Sequence, residues 1–141
     1  MARLTVRVDL PGRGAIGPGK IKLLELVAQS GSISAAGRAM NMSYRRAWML
    51  VDSLNRCFRA AVVETQLGGT RGGGAVLSAL GRDVIRWYRA IERAATNAGA
   101  RQLAALDAVQ APSKPRRAGG RRGAKTASRR RSPAMPRRAR A

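Results

Sequence analysis

The chain of 141 residues has no histidine, one cysteine, one phenylalanine and only 7 acidic residues. Without histidine there is no imidazole general base. With Cys57 alone there is also no thiolate set for a typical zinc site and no intrachain disulfide. Cys57 falls on the inner half of a predicted helix and reads as a small core residue. No stretch approaches the ~20 apolar residues of a membrane span, and the first residues lack the apolar core of a secretory signal. The expectation is a cytoplasmic protein with no membrane partner. No residue set suggests catalysis, a metal site or a cofactor.

What replaces the missing acids is arginine and lysine, 28 in all, for a net charge of +21. The charge is uneven. From Pro112 to Ala141 there are 12 basic residues and no acid; residues 1–111 keep 16 basic and all 7 acidic residues, a net +9. A surface so basic attracts polyanions, which bears on partners rather than on fold. After Ala111 Pro, Gly, Ser, Ala and Arg dominate the sequence, which has no aromatic residue there. It has too little apolar surface to offset the entropy of ordering, and disorder is expected there.

The apolar pattern before that point is regular. Arg3 to Leu10 alternates, with Leu4, Val6, Val8 and Leu10 on one side, and reads as a half-buried strand. Pro11 to Gly19 reads as a loop. A first helix is expected from Pro18 to Gln29, with Ile21, Leu24, Val27 and Ala28 as its apolar stripe, Leu23 and Leu26 beside it, and Gly31 as its stop. Ser34 is the expected N-cap of a second helix, Ala35 to Met40, and Asn41 and Met42 make a turn. Ser43 caps a third helix to Phe58, with Ala47, Leu50, Val51, Leu54 and Phe58 on its inner face. Arg45, Met49, Asp52 and Arg56 lie opposite, with Tyr44, Trp48 and Asn55 on the boundary. Two short strands, Val62 to Gln66 and Ala75 to Ser78, flank a glycine-dense turn. Ser78 then caps a fourth helix, in which Leu80, Val84, Trp87, Ile91, Ala94, Ala98, Gln102, Ala105 and Val109 recur at helical spacing across Gly99, a weak point. A stripe that long outlasts the domain it covers, so its excess is expected to pack on a second copy of the chain.

This order is helix, turn, helix and β-hairpin. The predicted fold is mainly α with a β-hairpin wing: a winged helix-turn-helix with a long C-terminal dimerisation helix and a disordered basic tail. The expected divisions are 1–15 (strand and loop), 16–110 (the DNA-binding domain with its long helix) and 111–141 (the tail).

One decoy is set aside. Gly14-Ala-Ile-Gly-Pro-Gly-Lys20 has the spacing of a phosphate-binding P-loop, but Ile21 stands where the Mg²⁺-holding Ser or Thr is needed, and Pro18 removes an amide.

Gly31-Ser-Ile-Ser-Ala-Ala-Gly-Arg-Ala-Met-Asn-Met-Ser-Tyr-Arg-Arg-Ala-Trp48 resembles the helix-turn-helix of the molybdate-responsive regulator (ModE) family, whose N-terminal domain is LysR-like. The wing and helix start, Gly68-Gly-Thr-Arg-Gly-Gly-Gly-Ala-Val-Leu-Ser-Ala-Leu-Gly81, is the more specific match. The similarity runs from about Ile16 to Ala95. It implies DNA binding and dimerisation through the first and last helices. Full-length members carry C-terminal molbindin domains, where this chain has a basic tail. Molybdate binding is therefore not expected of it, and stand-alone DNA-binding versions of the family are the nearest comparison.

The partner expected is double-stranded DNA, bound by a homodimer. The major groove admits one helix, and the helix's first residues reach the bases. Here these are Ser43, Tyr44, Arg45, Arg46 and Met49, with Arg45 or Arg46 on guanine and Met49 on an apolar base edge. Lys20, Ser32 and Ser34 are expected at phosphates. Thr70, Arg71 and Gly72 form the wing tip, and Arg116, Arg117, Arg121, Arg122, Arg129, Arg130 and Arg131 are tail phosphate contacts. Trp48 and Trp87 are expected in the core and the dimer packing. The leading expectation is a sequence-specific transcriptional regulator. Its rival is a nucleoid-associated architectural protein acting through the tail. A weaker third reading, an RNA-associated protein, lacks support because the globular part has no aromatic sheet surface for bases.

Overall fold

Hydrogen bonding at a few serines and glycines sets where each element starts and stops. The computed structural model of the chain describes residues 1–66 and 74–113; the expected wing-tip positions Thr70, Arg71 and Gly72, and the seven tail arginines, lie outside the described residues. Met1–Gln110 forms one compact unit.

The chain opens with a small antiparallel hairpin, β1 (Val8–Leu10) and β2 (Gly14–Ile16), pairing Val8 with Ile16. Two expectations are corrected here. The strand expected from Arg3 is regular only from Val8, because the partner strand is three residues long and nothing pairs with the residues before it. The segment expected to be all loop contains β2. Gly12, at φ 71°, reverses the chain, and the Arg13 amide closes the turn on the Leu10 carbonyl. A three-residue strand with one buried side chain, Ile16, is too short for alternation to reveal it. Because Gly14–Ile16 is paired strand, the decoy P-loop has no loop in which to form. Residues 1–15 are part of the main unit: Val6 and Val8 pack on the same core as the helices.

Helix α1 (Pro18–Ser30) starts with proline in its first turn and stops at Gly31, whose left-handed backbone (φ 67°) lets its amide donate to the Val27 carbonyl. Ile21, Leu23, Leu24 and Val27 are fully buried, while Ala28, expected in the stripe, is exposed. The buried face is rotated toward Leu23 because α1 is central: α2, α3, α4 and β4 all pack on it. Full burial of each large aliphatic side chain stabilises by about 1.5–3 kcal/mol, so this helix anchors the fold.

Helix α2 (Ile33–Ala39) is capped by Ser32, not by Ser34 as expected. The Ser32 hydroxyl accepts from the Ala35 amide at 3.1 Å, and the Ser34 hydroxyl instead accepts from Arg38 at 2.9 Å. Either serine could cap. Starting at Ile33 buries that side chain to 4% exposure, which decides the boundary. Asn41 at φ 55° and Met42 make the expected turn. Helix α3 (Tyr44–Cys57) is capped by Ser43, whose hydroxyl accepts from the Arg46 amide at 3.1 Å. At Gly37 an added Cβ would lie 2.9 Å from the Ala47 Cβ, so glycine sets how closely α2 crosses α3. Ala47, Val51, Leu54 and Cys57 are buried, with Leu50 and Phe58 half-buried.

The wing is β3 (Val63–Gln66) against β4 (Gly74–Leu77), with Val63 opposite Leu77. Its base is tied on three sides. The Asn55 side chain on α3 accepts from the Val62 and Val63 amides (2.9 and 3.1 Å) and donates to the Val63 carbonyl (3.2 Å). Ser78 donates from its hydroxyl to Ala61 (2.6 Å) and from its amide to Val62 (3.0 Å). Helix α4 (Ala79–Ala98), capped by Ser78, presents Gly81, where any Cβ would overlap the Val62 carbonyl.

Gly99 ends α4, and α5 (Ala100–Ala108) follows, so the expected single long helix is two. Within α4 the buried residues are Gly81, Val84 and Tyr88, while Trp87 and Ile91 of the apolar stripe are exposed on the protomer. Tyr88 is 1% exposed and donates its hydroxyl to the Val6 carbonyl at 2.7 Å, pinning the N-terminal segment; burial pushes its phenol up from the ordinary tyrosine value. Beside it, Arg89 grips both carboxylate oxygens of Glu25 on α1 (2.7 and 3.1 Å) and one of Glu92 (2.8 Å). The Arg89 hydrogen bond, opposed by partial burial, holds the Glu25 carboxyl below its ordinary value, and the guanidinium is raised in turn.

Gly81→Ala forces α4 off the wing base and lowers stability by about 1–3 kcal/mol, read from the urea midpoint. Gly19→Ala, where a Cβ meets nothing within 4 Å, is neutral or mildly stabilising in the same assay. Because the Glu25 pKa is depressed in the folded state, its ion pair stabilises at neutral pH and that stabilisation fades as pH falls below the ordinary carboxylate range near ~4.3. Glu25→Gln is therefore expected to be less stable than the parent by up to about 1 kcal/mol at neutral pH, with the two urea midpoints converging in acid.

Candidate nucleic-acid interface

The turn at Asn41 and Met42 sets α2 against α3 and leaves the first turns of α3 in solvent. Ser43, Tyr44, Arg45, Arg46 and Met49 are all exposed, Met49 to 61%. No described acid pairs with Arg45 or Arg46, whereas Arg56, further along the same helix, pairs with Asp52. The cationic, uncommitted end of α3 is thus its N-terminal end, where the cap also fixes the backbone.

Tyr44 and Trp48, one turn apart, stack edge to face with ring centroids 6.1 Å apart. Trp48 is 36% exposed and belongs to this outer surface, which corrects its expected place in the core. Trp87 is also outside the core, at 52% exposure on α4. Tyr44 and Trp48 form one wall of a cleft of about 260 Å³ between α2, α3 and the wing. Ser32 and Ser34 lie on its α2 side; Thr65 and Gln66 lie on its β3 side.

The structure therefore brings together Ser32, Ser34 and Tyr44 from the expected set. Lys20 stands elsewhere. Its ammonium donates to the Ala15 carbonyl at 2.8 Å and approaches the Ser53 hydroxyl at 3.5 Å, tying β2 to the second half of α3. It is neither a freely solvated charge nor part of the cleft. Residues that the sequence reading did not single out are Asn55, Arg38, Thr65 and Gln66. Asn55 carried one signal: a polar side chain on the boundary of an amphipathic helix needs a partner. Thr65 and Gln66 carried none, since strand alternation alone does not say which face meets α3.

No protein-family model matches the chain. It is 43% identical over 77 residues to the molybdenum-pterin-binding protein MopB of Rhodobacter capsulatus, covering 55% of this chain and 28% of that protein. It is 34% identical over 92 residues to the molybdenum transport protein ModE of Azotobacter vinelandii, covering 65% and 33%. With the DNA-binding transcriptional dual regulator ModE of Escherichia coli (strain K12) it shares 39% identity over 71 residues, covering 50% and 27%. The match thus spans about a third of the length of these curated relatives. Among solved structures, the crystal structure of a CbnR DNA-binding domain–DNA complex aligns at a TM-score of 0.48 and 24% identity, covering 62% of this chain and 94% of that one. Over the matched segment the chain is similar in sequence to the ModE and Mop proteins, and its α2, α3 and β3–β4 elements form a winged helix-turn-helix.

Proposed function

We propose that the chain is a sequence-specific, double-stranded-DNA-binding transcriptional regulator that acts as a homodimer. The observation that carries this reading is the capped, solvent-facing start of α3, where Arg45 and Arg46 stand free of described acids beside a wing. Arginine at that position can grip guanine O6 and N7 with two hydrogen bonds, worth about 1–3 kcal/mol of discrimination per base pair. Met49, one turn on, offers an apolar contact to a base edge. Thr70, Arg71 and Gly72, which lie between β3 and β4 in sequence, are part of the proposal as contacts to backbone or minor groove. The tail arginines, together with the +9 of residues 1–111, add attraction that any sequence of DNA would feel. The relatives' names support the regulatory reading, one of them being called a DNA-binding transcriptional dual regulator. Molybdate binding is not part of the proposal, nor is any reaction. The site of action is the nucleoid.

The dimer is supported by apolar side chains that the protomer leaves uncovered. Trp87 and Ile91 on α4 are 52% and 46% exposed, and Leu106 on α5 and the adjoining Val109 are 59% and 78% exposed. α1 uses its apolar residues in the core, so α4 and α5 offer the larger share of such a contact. Two recognition helices about one DNA turn apart favour an inverted repeat.

The tail favours one second reading, an architectural protein that binds any duplex. If all 12 tail charges met phosphates, log K would fall with log salt at a slope of about −11.

Selection of bound duplexes from a random pool at near-physiological salt, with the full chain and a form ending at Ala111, separates the two. The regulator reading expects one inverted repeat enriched by both forms, with weaker binding after truncation. Loss of all binding on truncation, without enrichment in either form, supports the architectural reading. Arg45→Ala and Arg46→Ala are expected to relax preference at single base pairs rather than to weaken binding uniformly. Ile91→Glu is expected to shift the protein toward monomer in sedimentation and to weaken binding to the repeat by about 30-fold.

A further inference from the structure

We propose that the cleft between α2, the start of α3 and β3 holds one sugar–phosphate unit of the DNA backbone, with Trp48, Thr65 and Gln66 as contacts beside Tyr44. This inference rests on the DNA-binding reading above and extends it to residues of the wing strand itself.

Four observations carry it. The first is chemical. The lining residues carry groups able to donate a hydrogen bond: the Tyr44 hydroxyl, the Trp48 indole N–H, the Thr65 hydroxyl and the Gln66 amide. None of these is engaged by a hydrogen bond among the described residues, whereas Ser32 and Ser34 are committed to the α2 cap and to Arg38. An indole N–H donates only, so its partner must be an acceptor.

The second is electrostatic. No residue lining the cleft is acidic. The hydrogen bond from Arg38 to Ser34, a lining residue, brings a guanidinium to the rim. The nearest acid along the strand, Glu64, is not among the lining residues; it shares the strand face of Gln66, opposite that of Thr65. An anion with several acceptor oxygens complements this set: the Trp48 indole donates only, and the two hydroxyls and the Gln66 amide can each donate to it.

The third is size. A cleft of about 260 Å³ lies below the ~300–1,000 Å³ of pockets that enclose drug-sized ligands. Its occupant is better read as one unit of a polymer that passes through than as a free effector. The edge-to-face pair of Tyr44 and Trp48 gives the deoxyribose an apolar wall.

The fourth is position. The same helical turns that carry Arg45 and Arg46 carry Tyr44 and Trp48. A backbone strand in the cleft would therefore run beside the bases that those arginines meet. Asn55 fixes β3 to α3 through Val62 and Val63, so the two walls keep a set separation.

The test uses the full chain and the duplex that it enriches. Single phosphates are replaced one at a time by uncharged methylphosphonates. The parent chain is expected to lose affinity at one phosphate per half-site that no other position matches. Tyr44→Phe, Trp48→Phe and the pair Thr65→Val with Gln66→Leu are each expected to raise Kd about tenfold on unmodified DNA. Each is expected to show little further loss when that one phosphate is neutral, and base preferences should stay as in the parent. Tyr44 and Gln66 are surface residues, so their variants keep the test valid even if Trp48→Phe alters folding. Two results would overturn the proposal: variant and methylphosphonate effects that add at every position, or a changed preference at one base pair, which would assign these side chains to base reading. A parent chain that enriches no duplex would sink the regulator reading instead, an outcome visible before any variant is made.

Discussion

The geometry of the whole domain depends on how closely the chain at Ala61 to Val63 is held. Three elements meet there. α3 reaches it through the Asn55 amide, the loop before α4 reaches it through Ser78, and α4 itself comes so near the Val62 carbonyl that only glycine fits at position 81. Each hydrogen bond of this kind is worth only ~0.5–1.5 kcal/mol net, yet a buried backbone group left without its partner costs more. The clamp is therefore a matter of position more than of stability. It fixes the angle between α3 and the wing, and it fixes both relative to the helix that carries the exposed apolar residues.

From that constraint the proposed function is a matter of spacing. A helix that projects two free arginines is useful for reading a groove only if the wing beside it stays in register with the backbone. A dimer is useful only if α4 transmits that register to a second copy. The polar clamp connects the two: Val62 touches both Asn55 of α3 and Gly81 of α4. Arg89 does similar work at the other end, joining α4 to α1 through Glu25, while Tyr88 holds the N-terminal segment through Val6. The basic tail stands outside this logic, since its attraction to phosphate needs no geometry.

Much of this was legible in the sequence, for identifiable reasons. The capping serines Ser43 and Ser78 sit immediately before apolar periodic runs, and Gly31 follows one, so those ends were read correctly. The helix-turn-helix and wing follow from their order. Ambiguity arose where two residues could play one part. Ser32 and Ser34 both suit a cap, and only the burial of Ile33 chooses between them. Trp87 and Tyr88 are neighbours on α4, and periodicity favoured the tryptophan, whereas the partner waiting at Val6 selects the tyrosine. Position 20 suits a phosphate contact from sequence alone, because nothing local shows that Ala15 and Ser53 converge on it. Asn55, Thr65 and Gln66 acquire meaning only once α3 and β3 are placed side by side, a contact that no local pattern encodes.

In the proposed function DNA meets the α3–wing surface as a unit, and a crystal structure of the chain with the duplex it enriches tests this. The start of α3 is expected in the major groove, with Arg45 or Arg46 on a guanine and the backbone alongside β3. A duplex lying against α4 and α5, or bound with α3 facing solvent, would contradict it.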